Sequence, residues 1–415
     1  MNKPQIIVVG AGAAGLMAAY AAAKNGAQVT LFDRNEKPGK KLYITGKGRC
    51  NFTNDSSVEN VLNQTVSNPK FLYGALNEFT PQDVMSFMQE NGTPYKVERG
   101  KRVFPQSDKA SDVTAALVSA CKKHGVLFRL QKRVTGLIVE NGIVIGIKAE
   151  NKEYTANAVI LATGGVSYPT TGSTGDGFSF VQPLGHTVTP LRPALCGIVT
   201  TQPCAAMAGL ALKNVTLSVF RGQKKIFSEF GELTFQAYGM AGPIAISASS
   251  YLNRIPVNEL TLSIDLKPAL SKEQIDLRLK RDFAEIGNHP MFESLRKFLP
   301  KQLIAPVLAK ANLSTKKKNA ELSPQEIEQL VSTVKSFTFS VKGLRPVEEA
   351  IVTAGGISVK EINPKTMQSK LVNHLYFAGE MIDVDALTGG FNLQIAFSTG
   401  YRAGQSAANS LNEIE

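Results

Sequence analysis

The chain has 415 residues, 43% hydrophobic and 19% charged, with a formal net charge of +12. That length suggests two or three domains of roughly 100–200 residues each, and the composition supports large buried cores. No window approaches about 18 uncharged apolar residues, so no transmembrane helix is expected. The apolar run at 6–9 is too short for an export signal, which makes the cytoplasm the expected location.

Cys50, Cys121, Cys196 and Cys204 lie far apart with no CxxC, and the four histidines show no ligand spacing. Neither a disulfide framework nor a metal site is expected. Between residues 267 and 345, 15 Lys and Arg stand against 8 Asp and Glu, an excess of +7. Such a concentration suits a polyanionic partner such as RNA, or an anionic cofactor.

The opening segment "QIIVVGAGAAGLMAAYAAAKNGAQVTLFDRN" reads as strand, glycine turn, helix, strand, acid. Gly10 permits the tight turn, Gly12 lets the backbone approach a pyrophosphate, and Gly15 lets the helix pack on the strand. The helix start at Ala13 and Ala14 offers N–H groups and a positive dipole to phosphates. Asp33, followed by Arg34, ends the second strand where an acid can accept from a ribose diol. This pattern marks a dinucleotide site but does not separate FAD from NAD.

Next comes "GKKLYITGKGRCNFTN", a basic, Gly- and Asn-rich loop with one cysteine. Helices are expected at 80–92, behind a Thr-Pro start, and at 110–124. A strand meander follows, with Val134 near its start and a hairpin turn at Asn141-Gly142. It feeds "AVILATGG", where the small residues Ala162, Thr163 and Gly164 let backbone pass close to a cofactor. A Gly/Thr-rich loop over 170–177 leads to a helix beginning at Asp176-Gly177. Residues 190–265 read as short strands, and 271–336 switch to helices that open on serine caps and include the run Lys316-Lys317-Lys318. The C-terminal stretch returns to strand, Gly379-Glu380, glycines ending at Gly390, then a long helix.

The stretches "GAGAAGLMAA", "EKPGKKLYITGKGRCNFTN", "ATGGVSYPTTGSTGDGF", "VTAGGISVKEINPKTMQSKLVNHLYFAGE" and "DVDALTGGFNLQIAFSTGYRAG" span nearly the whole chain. It resembles the YhiN-type flavoproteins, also described as BaiN/RdsA-like or aminoacetone-oxidase-like NAD(P)/FAD-dependent oxidoreductases. The resemblance implies an α/β fold: a Rossmann-type FAD-binding domain of the two-dinucleotide-binding class (1–189 and 346–415), an inserted β-rich domain (190–270 and 337–345) and a basic helical insert (271–336). Members reduce ring double bonds in dehydro bile acids or form dihydrouridine in large-subunit ribosomal RNA.

The cofactor implied is FAD. Glu380 would reach its ribitol or pyrophosphate, and the N–H groups of Phe391, Asn392, Leu393 and Gln394 would sit under the pyrimidine edge of the flavin. Gly39, Gly46 and Gly48 permit close backbone approach, while Lys40, Lys41, Lys47 and Arg49 would offset pyrophosphate and reduced-flavin charge. Cys50 and Asn51 fall where the isoalloxazine is expected. Proton-donor candidates are Cys50, Arg49, Tyr43 and Tyr168, with Lys47 and Arg49 expected to lower the Cys50 thiol pKa. No second GxGxxG follows a mid-chain strand, so NAD(P)H is expected as a transient electron donor only. The leading expectation is reduction of an activated C=C, with uridine in ribosomal RNA favoured and held through the basic insert. The alternatives are a small-molecule reductase or oxidase acting on a dehydro bile acid, another enone or an amine, and a non-catalytic flavin-bearing RNA-binding factor.

Overall fold

The computed structural model describes residues 3–412. The chain divides into two compact units, residues 1–194 with 346–415 and residues 195–345. No described helix is long and apolar enough to cross a membrane.

The first unit is built on a five-stranded sheet in the order Leu375–Phe377, Ala158–Leu161, Gln5–Val9, Gln28–Phe32, Leu127–Arg129. Every pairing in it is parallel. Its strands read as continuous apolar runs because both faces are covered: residues 6–9 and 158–161 are all buried. One cover is the pair of helices Ala13–Lys24 and Phe391–Asn412. Alanine dominates the first helix because the two backbones nearly touch. A Cβ on Gly400 would lie 2.3 Å from the Ala14 carbonyl oxygen, and one on Gly404 would lie 2.2 Å from that of Ala18. The expected meander forms its own antiparallel sheet from Val134–Glu140, Ile143–Ala149 and Lys152–Thr155. A small sheet joins Thr53–Asn54 to Arg102–Pro105 and Tyr95–Glu98.

The second unit is a closed six-stranded barrel. Its strands run Ile198–Thr200, Gly239–Ala241, Lys224–Gln236, Ala211–Arg221, Leu260–Asp265, Phe337–Leu344 around the circle. Closure removes the sheet edges that would otherwise pair with other chains. The helical stretch 271–336 is no third body. Leu279, Leu303, Val307 and Leu330 from its helices share one continuous core with Leu217, Leu262 and Phe339 of the barrel. The Ser271 and Ser323 starts are genuine capping boxes, each serine accepting from the third backbone N–H of its helix. The lysine run is partly neutralised, since Lys317 is ion-paired with Glu326 at 2.5 Å.

Candidate functional site

In the first unit, four segments distant in sequence meet beside the parallel sheet. The glycine turn comes first. Gly10 (φ +104°) presses so close to the next strand that a Cβ would lie 2.4 Å from the Ala162 oxygen, and one on Gly15 would lie 1.8 Å from the Gly10 oxygen. Gly12 differs: nothing stands within 4 Å of where its Cβ would be. Space therefore opens over the start of the helix Ala13–Lys24, whose cap residue Gly12 offers no side chain to the first N–H groups. An uncapped helix start under open space suits an anion. Ala13 faces that space partly exposed, and Ala14 is buried against Gly379.

Asp33 stands directly after the second strand. Its carboxylate accepts from the N–H of Ala11 at 2.6 Å and of Asn35 at 2.7 Å, and burial pushes its pKa up against those bonds. Each oxygen keeps a further acceptor direction, so the acid both folds the turn and remains able to take a diol. Arg34 does not extend outward. It pairs with Asp176 at 3.4 Å and donates to Thr174, tying this corner to the 170–177 loop.

The loop over 39–54 is sewn to the turn through Gly39, whose N–H donates to the Ala11 carbonyl at 2.7 Å. Three of its four cations, Lys40, Lys41 and Arg49, are paired with carboxylates of the chain, and Lys47 is exposed. Lys41 lies 2.7 Å from Glu380 and donates to Ser167 at 2.6 Å. Glu380 also accepts from the Thr353 N–H at 2.8 Å and from Ser167 at 3.0 Å. Burial opposes its ionisation, but Lys41 and these donors outweigh it and hold the carboxyl below its ordinary range. Glu380 is thus tied into a knot with Lys41, Ser167 and Thr353. Lys40 sits 3.3 Å from Glu36. Arg49 forks onto Glu98 and onto Asp108, the latter at 2.6 Å, with its guanidinium 4.2 Å from the Phe104 ring centroid.

These pairs also overturn the expectation for Cys50. With Arg49 neutralised and the thiol fully buried, burial pushes its pKa up to about 12. It is a protonated, core-packed group, not a thiolate. The chain twists sharply here: Gly46, Lys47, Gly48 and Cys50 all have positive φ, and the Cys50 N–H closes the turn onto the Thr45 carbonyl at 3.0 Å. Next to it, the buried Oδ1 of Asn51 has no hydrogen-bond partner. A buried amide oxygen left unpaired is costly in a finished fold, and it points to a donor the bound group would bring.

The fourth segment closes on this loop. A Cβ on Gly390 (φ +96°) would lie 2.3 Å from the Thr53 oxygen, and Asn54 donates to the Gly389 carbonyl at 3.0 Å. The helix beginning at Phe391 leaves its first three N–H groups without intrahelical acceptors. Gln394 is not among them, because its N–H already donates to the Gly390 carbonyl at 3.0 Å. Its side chain is locked too, accepting from Thr53 at 2.5 Å and donating to Phe79 O at 3.0 Å. Asn392 turns its amide back onto Ala386. Phe391 is buried under Gly389, and Leu393 is half-buried.

Of the remaining candidates, Tyr43 is half-buried under the Lys37 ammonium, 4.6 Å from the ring centroid. Tyr168 is held left-handed (φ +50°) with its N–H donating to Glu348 O at 3.1 Å. Gly164 (φ +76°) lies against Ser173 and Thr163 against Met381, while Val134 is buried at the start of its strand. Sequence reasoning missed Thr353, whose hydroxyl accepts from the N–H groups of Val166 and Ser167. It also missed Glu98 and Asp108. Nothing local marks these three; they become visible only when distant strands are placed together. Thr53 and Asn54 lie within the "NFTN" stretch and carried a local signal.

The open cradle at Gly12, two helix starts and the unpaired Asn51 oxygen together fit an extended dinucleotide, and with the parallel sheet they define a Rossmann-type FAD-binding fold. The chain belongs to the HI0933-like protein Rossmann domain family, whose model matches residues 4–406, a family of FAD-dependent oxidoreductases. It is 30% identical over 414 residues to the 3-dehydro-bile acid delta(4,6)-reductase of Clostridium scindens, covering 98% of this chain and 99% of that one. It is 31% identical over 402 residues to the ribosomal RNA dihydrouridine synthase of Haemophilus influenzae, covering 95% and 96%. Among solved structures it is similar to 3-ketosteroid delta1-dehydrogenase from Sterolibacterium denitrificans, with a TM-score of 0.55 at 15% identity over 99% of this chain and 100% of that one. That last likeness is one of fold.

Proposed function

We propose that this protein reduces an activated ring C=C, with uridine in ribosomal RNA as its substrate and NAD(P)H as the electron donor. Relatives similar over nearly the full length are named for saturating a pyrimidine and a steroid ring, reactions that share one demand: hydride to one carbon, a proton to the other. Bound FAD supplies the hydride chemistry. The chain's own part is to hold that group and exclude water. The Gly12 turn and the start of the helix Ala13–Lys24 take the pyrophosphate, Asp33 the ribose diol, and the N–H groups at 391–393 the pyrimidine edge of the flavin. Asn51 offers its free amide oxygen to a donor on the bound group. Cys50 keeps its proton at neutral pH and fills space behind the turn.

The observation that carries RNA over a neutral ring is charge. Residues 195–345 hold 20 Lys and Arg against 12 Asp and Glu, an excess of +8 out of +12 for the chain. A bile acid brings one carboxylate to it, whereas an RNA segment brings a phosphate with every nucleotide. The test is mass analysis of ribosomal RNA from a strain lacking the gene. Loss of one dihydrouridine, restored by the intact gene, is the expected result. Unchanged dihydrouridine, together with turnover of a dehydro-steroid by the purified protein, would establish the small-molecule alternative instead.

A further inference from the structure

The second unit carries a surface whose composition is unusual for a barrel exterior. Along three neighbouring strands, inward residues are apolar and buried: Leu217, Val219, Leu262, Ile264, Phe337 and Phe339; on the fourth, Lys224–Gln236, half-buried Phe227 and Glu229 stand in register with Val219 and Leu217. The alternation of a strand therefore turns the intervening residues outward. Cross-strand register aligns them in three rows. The first runs Lys225, Phe220, Thr261, Ser340; the second Ser228, Ser218, Ser263, Thr338; the third Phe230, Thr216, Asp265. Seven of these eleven positions bear a hydroxyl.

Two features keep this face from being ordinary solvated sheet. Phe230 is 59% exposed on it, at a position where a polar residue would cost nothing. Phe220, half-buried, lies two rows away on the adjacent strand, about 13 Å along the strand direction at roughly 3.3 Å per residue. The second feature is uncompensated charge at one end. Lys224 and Lys225 at the hairpin are exposed, and neither has an acidic partner among the described residues. The acid close by, Glu259, is committed to Arg221, and Asp265 in the third row pairs with Lys335 at 2.6 Å. In the helical stretch Lys280, Lys297 and Lys317 are ion-paired with neighbouring carboxylates, while Lys272, Lys301, Lys310, Lys316 and Lys318 are exposed without one among the described residues, but the exposed large apolar residue there is Leu277, which offers no ring to a base.

We infer that this outer barrel face, rather than the helical stretch, docks a single-stranded RNA segment. The inference rests on the RNA reading above. Exposed aromatic faces accept unstacked bases, hydroxyls exchange hydrogen bonds with phosphate and 2′-OH groups, and free lysines neutralise the backbone. Exposed Glu232, next outward beyond Phe230 on the same strand, marks where the track ends, because a carboxylate repels phosphate. A duplex would use the lysines but not the rings, since its bases are already stacked.

The experiment is fluorescence anisotropy of the intact, FAD-loaded protein with a labelled single-stranded RNA oligonucleotide across a salt series. Three variants are compared: Phe230→Ala, the double change Lys224→Glu with Lys225→Glu, and the helical control Lys316→Glu with Lys318→Glu. All five positions are at the surface, and FAD absorbance with Tm checks that each variant is folded. Phe230→Ala is expected to weaken binding about tenfold, the loss of one stacked base. The double lysine change should lower the salt slope by about two, and the helical control should bind like the parent. Parent-like binding by the barrel variants with loss in the helical control overturns the placement but keeps the RNA reading. Unchanged binding by Phe230→Ala with weakening by the lysine changes overturns the single-stranded assignment in favour of a duplex or an acidic protein. Absence of salt-sensitive RNA binding by the parent overturns the RNA reading itself.

Discussion

The glycine turn and the basic loop that follows it sit side by side against one sheet, yet they use their residues in opposite ways. The turn keeps its polar groups unspent: Gly12 faces open space, and the helix behind it carries no side-chain cap. The loop spends nearly everything on the protein. Lys41 is held by Glu380, and Arg49 is held by Glu98 and Asp108. The lesson is that a cation beside a cofactor motif is not thereby a cofactor ligand. Burial raises the cost of an unpaired charge, so a half-buried lysine or arginine takes whatever carboxylate the fold brings near. What the loop contributes to the site is shape, set by left-handed backbone at Gly46, Lys47, Gly48 and Cys50, and one unpaired amide oxygen.

The sharpest way to break this contrast is to fill the turn. Gly15→Ala places a methyl 1.8 Å from the Gly10 carbonyl oxygen, and backbone cannot yield as a flexible side chain would. A cost of about 3 kcal/mol or more is expected, seen as protein purified without the yellow FAD absorbance and with a depressed Tm. Normal FAD content would mean that the tight packing of this turn is unimportant.

Next in size is the knot. Glu380→Gln leaves the Lys41 ammonium, 22% exposed, without its counter-charge. Breaking a fully buried pair costs roughly 3–5 kcal/mol; partial exposure lowers the expectation to about 1–3 kcal/mol. The pH dependence fixes the cause. Because the Glu380 carboxyl is held below its ordinary 4.5 in the fold, its stabilisation is complete above about that pH and fades as pH falls through the lower folded value. The parent should therefore lose stability on acidification more steeply than the Gln variant, and the two Tm curves should converge at low pH. Parallel curves would mean that the carboxylate charge contributes nothing.

Much of this was legible in the sequence, and the division is physical. Gly10, Gly15 and Asp33 could be read because their jobs are local: a turn, a helix start and the end of a neighbouring strand all lie within about thirty residues. The long C-terminal helix was legible for the same reason, down to its beginning after Gly390. What stayed hidden depends on long-range placement. Lys41 meets Glu380 across 339 positions, and Arg49 meets Glu98 across 49. Nor could composition announce that the helices of 271–336 would complete the barrel's core; an amphipathic basic helix looks the same whether its apolar face meets a barrel or a separate partner.

The Arg49 fork offers a gentler test of the same contrast. Arg49→Lys keeps the charge but loses the planar two-carboxylate geometry. If the side chain serves only the loop, Tm should fall slightly while FAD affinity stays within about twofold, as for other partly exposed ion pairs. A larger fall in FAD affinity than in stability would place the guanidinium at the cofactor.

The smallest expected effect is the most diagnostic for Cys50. A fully buried thiol whose pKa is pushed up to about 12 has almost no thiolate at neutral pH, and the thiolate is the reactive form. In the native protein, alkylating reagents at pH 7 should leave this side chain unmodified, and it should react only on unfolding, as mass mapping of the labelled peptide would record. The same burial keeps water from returning a proton between turnovers, which a general acid requires. Cys50→Ala should then retain FAD and most of the substrate reduction, at a modest cost in Tm for the lost sulfur. Cys50→Ser adds the discriminating arm, because a hydroxyl in the same apolar site either finds a partner or destabilises the turn. If Cys50→Ala instead keeps full FAD binding while reduction collapses, and Cys50→Ser restores part of it, the thiol donates the proton after all. The loop would then hold one unspent catalytic group among its committed cations.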